Sequence, residues 1–589
     1  MTHFAMEPPE AARLLDAAKG KRPADLIFRG GRLANVHSGE VFPADVAVSG
    51  GRIAYVGNGA EALAGKRTRI LDVRGKTLVP GYVEPHAHPW VIYNPVTFAE
   101  EVVRRGTTTL VYDNLFFLQL CRPAGFDRML EDVSRLPLSI FWTARLISQT
   151  TDPHELGDFT ASRIRRLLNR PDIISTSEVT RWLDVWEGRP NVLRGMADAL
   201  RLGKPVEGHT AGASYNRINA MTAAGLSSCH EAINAEETLT RLRLGLYVML
   251  RHSSLRPDLG RLAEILNNGR LSTARVMMTT DGPSPVHMLK EGFTEGMYRL
   301  ALELGFPPME VLRMLTLTPA TYYRQDQTFG GIAPGRFADI LVLDSLDAPF
   351  PRRVFARGRE VARDGKLLIE FPRFHWRRYG FDPVPRSARG VSPEIFGMKA
   401  AGQKAVLPVM RMSNAVISRR KDMTLSVVGG RVDVSGAPGL LHAAWIDRRR
   451  TRVVNALLGG YAEAIEGFAS SFNTGLGVLV MGRDRKAMSQ AARRVFQMGG
   501  GIVLSEGGNI IYEFPLPIGG MMSEAPFPEV AREMTRLTGL FEARGFRFGD
   551  LLYSQLFMVS DFLPDLKIAP IGLFDVKDRT VLRRPERIG

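Results

Sequence analysis

Between Leu78 and Asp281 the chain alternates short β-like runs with amphipathic stretches, and this alternation leaves few folds open. The runs are LVPGYVE (78–84), TTTLVYD (107–113), LSIFWTA (138–144), IISTSEV (173–179), PVEGH (205–209), SSCHE (227–231), LYVMLR (246–251) and ARVMMTTD (274–281). Helical stretches such as Thr97–Arg105 and Val192–Leu202 separate them. A connection of that kind carries the chain back to the same end of a sheet, so neighbouring strands should be parallel. Eight such units predict a closed (β/α)8 barrel, which gathers chemistry at the C-terminal ends of its strands. An open doubly wound sheet is the alternative, but this stretch lacks the glycine-rich phosphate loop that such a sheet would use.

The flanks read differently. Asp25–Val36 and Asp45–Val56 alternate apolar and polar residues around glycine breaks, which predicts a pair of small antiparallel hairpins. Two helices, Pro285–Leu304 and Pro308–Leu317, follow the barrel pattern, and PGRFADILVLD (334–344) is then expected to rejoin the opening sheet. The fold class is therefore α/β, a barrel with a small β-sandwich built from both flanks and an additional C-terminal α/β domain. Residues 380–402 are rich in Pro, Gly and Ser and read as a linker. Beyond them, strands at 424–434 and 477–482 and helices at 484–498 and 528–544 are expected. The expected division is 1–76, first part of the sandwich; 77–325, barrel; 326–380, second part of the sandwich; 381–402, linker; and 403–589, C-terminal domain.

Composition narrows the setting. No window approaches the ~18 apolar residues of a membrane helix, and the opening stretch lacks the apolar run of a signal peptide. Two cysteines, Cys121 and Cys229, exclude a disulfide framework and suggest a reducing, cytoplasmic location. The net charge of +16 first suggests an anionic partner. Much of it, however, sits in residues 352–391 and in Arg448, Arg449, Arg450 and Arg452, without a nucleic-acid reader motif. These read as solvated surface or a subunit interface, so neither a nucleic-acid nor a membrane partner is expected.

Metal-compatible side chains fall at the predicted strand ends. His86 and His88 form H-A-H after the first barrel strand; at i and i+2 on extended backbone they share a face and can share an ion. Glu178, His209, His230 and Asp281 end strands four, five, six and eight. Singly, each has a bland reading, such as Asp281 capping the helix that follows. Structural necessity gives no reason for all six to meet at strand ends. Four imidazoles and two carboxylates exceed one tetrahedral site and suit two divalent ions that activate a water. Asp281, ligand and acceptor at once, could take a proton and pass it to a leaving nitrogen, which is hydrolysis of a C–N bond. Glu231 and Arg251 lie near the same mouth as possible substrate contacts. On extended backbone, though, Glu231 should point away from His230.

The segments VPGYVEPHAHP, GTTTLVYD, SEV, EGHTAG, AAGLSSCHEAINAEETLTRLRLGLYVMLRHSS, TTDGPSP, TLTPATYY and GRFADILVLD resemble the amidohydrolase superfamily, most closely its adenine deaminases. GGGIVL and PLPIGGMMS are similar to that family's C-terminal domain. The resemblance implies one metal on His86, His88 and Asp281, a second on His209 and His230, and Glu178 bridging. It also implies Mn2+ or Fe2+, with Zn2+ compatible, a small-molecule substrate and a homo-oligomer, dimer or larger.

The substrate-facing segments depart from the family pattern. Pro89-Trp90-Val91-Ile92 replaces an acidic and serine-containing stretch after H-x-H. Asp113-Asn114-Leu115-Phe116 replaces D-P-H-E, Asp281-Gly282-Pro283 replaces D-D-R, and Phe472-Asn473-Thr474 replaces D-S-H. Trp90, Phe116, Phe117 and Phe472 imply a more apolar pocket. The expected function is hydrolytic deamination of adenine or a related aminated heterocycle. The alternatives are a non-purine cyclic or linear amide as substrate, and a catalytically weak metal-binding relative.

Overall fold

The computed structural model describes residues 6–267 and 272–589, apart from the side chains of residues 153 and 154. The first five residues of the opening stretch lie outside it.

Eight short parallel strands follow one another in chain order: β1 (Tyr82–Ala87), β2 (Thr107–Tyr112), β3 (Ser139–Ala144), β4 (Ile173–Thr176), β5 (Glu207–Gly208), β6 (Ser228–Cys229), β7 (Tyr247–Arg251) and β8 (Val276–Thr279). β1–β4 and β5–β8 form two four-stranded sheets, paired in sequence order. An isolated parallel bridge, Val179 with Gly208, joins the halves. At the other seam, the Thr279 and Thr280 hydroxyls donate to the Glu84 carboxylate, and Thr279 also donates to the His86 carbonyl, so the last strand is tied to the first. Every residue of β1, β2 and β3 is buried, as expected where helices cover one face of parallel strands and a packed interior the other. Helices such as Pro95–Val103, Pro123–Val133, Pro190–Arg201 and Ala235–Arg243 fill the crossovers. The first of these starts on a reciprocal capping box, Asn94 with Thr97.

Three local expectations change. LVPGYVE is two strands: Thr77–Pro80 belongs to the flanking sheet and only Tyr82–Ala87 to the barrel set. Gly81 separates them where a β-carbon would lie 2.0 Å from Thr108 Oγ1, so the close crossing itself demands glycine. In DLIFRGGRLANV the two glycines are no turn. Leu26–Asn35 is one strand with a bulge between Phe28 and Gly31, and its partner Glu40–Ser49 continues through a Gly50-Gly51 turn to Arg52–Gly57. The stretch 285–304 is two helices, Pro285–Glu291 and Thr294–Glu303, parted at Gly292 with φ 87°.

The flanks join in a nine-stranded sheet, where Ile340–Leu343 pairs antiparallel with Thr77–Pro80. Phe28 and Phe355 stand three strands apart in its order, yet their ring centroids are 4.8 Å apart. At roughly 4.8 Å per strand a flat sheet would hold them about 14 Å apart, so the sheet curls on itself around its own core.

The C-terminal region holds a ten-stranded sheet backed by Arg485–Met498 and a second helix, Phe527–Glu542. Residues 381–402 are irregular but packed, with Val384, Val391 and Phe396 buried against Val480, Val495 and Val503. Two C-terminal segments reach the barrel mouth. Met522 pairs with Ile92 and Ser523 N donates to the Ile92 carbonyl. Further on, Asp561 accepts from Thr151 and pairs with Arg181 at 2.9 Å. Arg448, read as surface, donates instead to the carbonyls of Gly519 and Asp382, beneath one of these segments.

Candidate metal centre

Period-two backbone along β1 aims Glu84 and His86 to one side, and His88, directly after the strand, joins them. Asp281 lies just past β8, where it and Gly282 take left-handed backbone, φ 52° and 63°. That turn brings the Asp281 carboxylate over β1. Its Oδ1 is 3.2 Å from both His86 Nε2 and His88 Nε2, which are 3.3 Å from each other. On the other side, Glu178 Oε2 is 2.6 Å from His209 Nδ1 and 3.4 Å from His230 Nε2, while Glu178 Oε1 faces His88 Nε2 at 3.9 Å. The six side chains singled out from the sequence thus form three overlapping triads: His86, His88 and Glu178; His86, His230 and Asp281; and Glu178, His209 and His230. Within each, all ligand atoms are within 4.8 Å of one another. Glu178 shares one triad with His88 and another with His209.

Several residues escaped the sequence reading. Glu207 Oε1 lies 2.9 Å from His86 Nδ1 and 3.3 Å from His230 Nδ1, so one buried carboxylate orients two imidazoles and turns their Nε2 atoms to the cluster. Its signal was present: Glu207 stands two before His209. Arg145, fully buried, pairs with Asp113 at 2.8 Å and Glu178 at 3.2 Å and donates to Thr180 Oγ1. Asp113 in turn faces His88 Nδ1 at 3.8 Å. Glu84 accepts from Thr279, Thr280 and the His86 N–H, fastening the seam beneath the ligands.

The substrate candidates divide. Glu231 does not point away from His230. β6 ends at Cys229, extended alternation ends with it, and Glu231 Oε1 lies 3.6 Å from both His209 Nδ1 and His230 Nε2. Arg251 binds two carboxylates through one nitrogen, Glu231 at 2.5 Å and Asp281 at 2.6 Å, and Arg256 supports Glu231 from outside at 3.3 Å. Trp90 packs beside the cluster, its ring centroid 4.8 Å from that of His88 and 4.5 Å from that of Phe116, and its buried indole N–H has no partner among the described residues. Phe117 turns away to Trp142 and Phe381. Phe472 is buried in the C-terminal region, and among the described residues no ring contact links it to the cluster. Phe562, to which no local pattern points, stands beside the cluster with its ring centroid 6.2 Å from that of His209.

Electrostatics explains why carboxylates can be concentrated here. Burial pushes Glu178, Glu207, Glu231 and Asp281 toward the neutral form, but imidazole and guanidinium neighbours outweigh it and hold all four below the usual carboxylate range. Burial likewise opposes a charge on His86, yet Glu207 and Asp281 raise it well above the ordinary value. Together with Asp113, these carboxylates outnumber the guanidinium groups of Arg145, Arg251 and Arg256 that face them. A divalent cation fits this excess. Among the described residues, His230 Nε2 is buried without a hydrogen-bond partner, as is Glu207 Oε2, and the former faces Glu178 inside the cluster. Imidazole and carboxylate donors without thiolate suit Mn2+, Fe2+ or Zn2+.

The chain matches the family model of the amidohydrolase family over residues 77–363 and that of the adenine deaminase C-terminal domain over residues 415–580. It is 34% identical to Putative adenine deaminase BH0637 of Halalkalibacterium halodurans, over 96% of each chain. It is 34% identical to Putative adenine deaminase YerA of Bacillus subtilis, over 87% of each. With Adenine deaminase of Moorella thermoacetica it shares 31%, over 95% of this chain and 96% of that one.

Proposed function

The chain belongs to the amidohydrolase family, among the adenine deaminases, and from that premise we propose that it hydrolyses the exocyclic C–N bond of adenine or a related aminated heterocycle at a binuclear metal centre. The observation that carries this is the convergence of six ligand side chains, from five strand ends, into overlapping triads. His86, His88 and Asp281 would hold one divalent cation and His209 and His230 a second, with Glu178 between them. Such cations supply Lewis acidity and hydroxide at neutral pH, with Mn2+ or Fe2+ favoured and Zn2+ compatible.

The protein's own groups carry the rest. Asp281, ionised and held by Arg251, accepts the proton released in the attack on the ring carbon and delivers it to the departing amine. Ammonia leaves and a ring carbonyl remains. Glu231, kept ionised by Arg251 and Arg256, accepts a hydrogen bond from a ring N–H rather than donating one. Trp90 and Phe116, packed edge to face, offer an apolar wall to a planar ring. That wall also favours a second reading, a cyclic or linear amide in place of the purine. Phe472, deep in the C-terminal region, takes no part in either. We further place the enzyme in the cytoplasm as a homo-oligomer without nucleic-acid or membrane partners, with the sequence-derived domain division; no helix among the described residues is long and apolar enough to cross a membrane.

Ammonia release from adenine by Mn2+-loaded protein is the test. Turnover that depends on the metal supports the deaminase. Its absence, with hydrolysis of a lactam, imide or amide, moves the protein to the second reading. Fewer than about one ion per chain and no hydrolysis of any of these would leave a weak metal-binding relative and overturn both.

A further inference from the structure

Asp281 and Gly282 occupy left-handed backbone in succession, φ 52° and 63°. For an L-residue that conformation is unfavourable by roughly 1 kcal/mol and persists only where surroundings over-determine it. Here they do. Asp281 N donates to Thr279 Oγ1 at 3.1 Å, Ser284 N to Ser254 Oγ at 3.0 Å, and Tyr93 Oη to the Pro283 carbonyl at 3.0 Å.

The remaining clamp comes from the other end of the chain. Tyr553 Oη donates to the Gly282 carbonyl and lies 3.4 Å from the Asp281 carbonyl. Tyr553 sits on the helix Leu551–Leu556, whose N-cap, Asp550, accepts from Tyr553 N at 3.0 Å. Its buried ring stacks on Phe557 with centroids 5.7 Å apart. Gly282 is enclosed between the two sides of the site: a β-carbon there would stand 2.6 Å from His88 Cβ and 3.1 Å from Tyr553 Oη.

We propose that Tyr553 is a positioning residue. By holding the Gly282 carbonyl it fixes the left-handed turn that aims Asp281 at His86 and His88, and so couples the C-terminal region to the barrel chemistry. The inference rests on the reading of Asp281 as ligand and proton acceptor. It asks one donor to fix a carboxylate on which a misplacement of about 1 Å can cost on the order of 100-fold in rate.

Tyr553→Phe keeps the ring and removes the donor. Tyr461→Phe is the structural control, because Tyr461 bonds Ser554 of the same helix at 2.8 Å and does not touch the turn. Steady-state ammonia release from adenine and Mn2+ titration calorimetry should be run on both, with Asp281→Asn as reference. Tyr553→Phe should lower kcat about 10- to 100-fold with KM within about twofold, and weaken Mn2+ binding about tenfold, while Tyr461→Phe stays at wild type. The calorimetric arm reads the proposal whether or not adenine is turned over. Wild-type kcat or, without turnover, wild-type Mn2+ affinity in Tyr553→Phe would overturn it, as would equal losses in Tyr461→Phe. An active Asp281→Asn would instead bring down the reading of the site on which it rests.

Discussion

Two buried histidines, one in the barrel mouth and one in the C-terminal sheet, separate what burial does from what neighbours do. His230 and His442 are 0% and 4% exposed. Burial and the nearby Arg485 push His442 down to about 4, and its Nδ1 has no hydrogen-bond partner. Burial and His86 push His230 the same way, but the carboxylates of Glu178 and Glu207 reverse the outcome and raise it to about 10. An apolar interior therefore excludes charge by default, and the mouth holds charge because carboxylates were placed in it. A folded core has no use for that expense; a cation site does.

The strongest way to break this comparison is to remove a carboxylate from the cluster. Asp281→Asn keeps the side-chain shape but loses the charge that meets His86, His88 and Arg251. Turnover should fall at least about 1,000-fold in single-turnover ammonia assays, with circular dichroism unchanged. A variant within tenfold of wild type would mean that Asp281 moves no proton. Next in size is Glu207→Gln, which touches no substrate. Because Glu207 orients His86 and His230 together, the change should weaken Mn2+ binding by about 10- to 100-fold in competition with a chelator. Unchanged affinity would reduce Glu207 to a filler of space.

The contrast also explains what could be read in advance. β1 runs extended to Ala87 and His88 follows it directly, so the spacing of the two histidines brought their Nε2 atoms together, 3.3 Å apart. His209, Glu178 and Asp281 were legible because strand ends converge in a barrel whatever the details of its helices. Glu231 was misjudged because two-residue β6 ends before it, and alternation has no authority beyond a strand. Glu207 was passed over although it shares the face of His209. Tyr553 and Phe562 could not be found at all, since nothing local in sequence records that a segment more than 250 residues beyond β8 folds back over it. The Phe28–Phe355 contact accords with the small β-sandwich expected from the flanks, built here by one sheet curled on itself.

A smaller effect sharpens the comparison from the side of the core. The folded His442 titrates near 4 against about 6.5 in an unfolded chain, so the neutral imidazole is the native form. Its contribution leaves stability untouched above about pH 6.5 and removes stability as pH falls from there toward 4, because the unfolded chain binds the proton first. His442→Leu should flatten urea-derived stability over that window by about 2 kcal/mol at pH 5 and leave ammonia release unchanged. A variant that keeps the full acid slope would assign the slope to other groups.

The smallest effect tests where the mouth most resembles a core. Trp90 is buried, aromatic and packed on Phe116, as a core residue would be, yet among the described residues its N–H lacks a partner, beside His88. A buried donor left unpaired costs about 1–3 kcal/mol, which a core would avoid by using phenylalanine. If the donor is kept for substrate, Trp90→Phe should raise KM about three- to tenfold, with kcat and Mn2+ affinity held. The protein should meanwhile become no less stable to heat, since the unpaired donor is gone. If the indole is only wall, KM stays and the sole change is in stability. Stability changes alike in both outcomes, so KM decides whether this face of the mouth recognises a ring acceptor or merely excludes water.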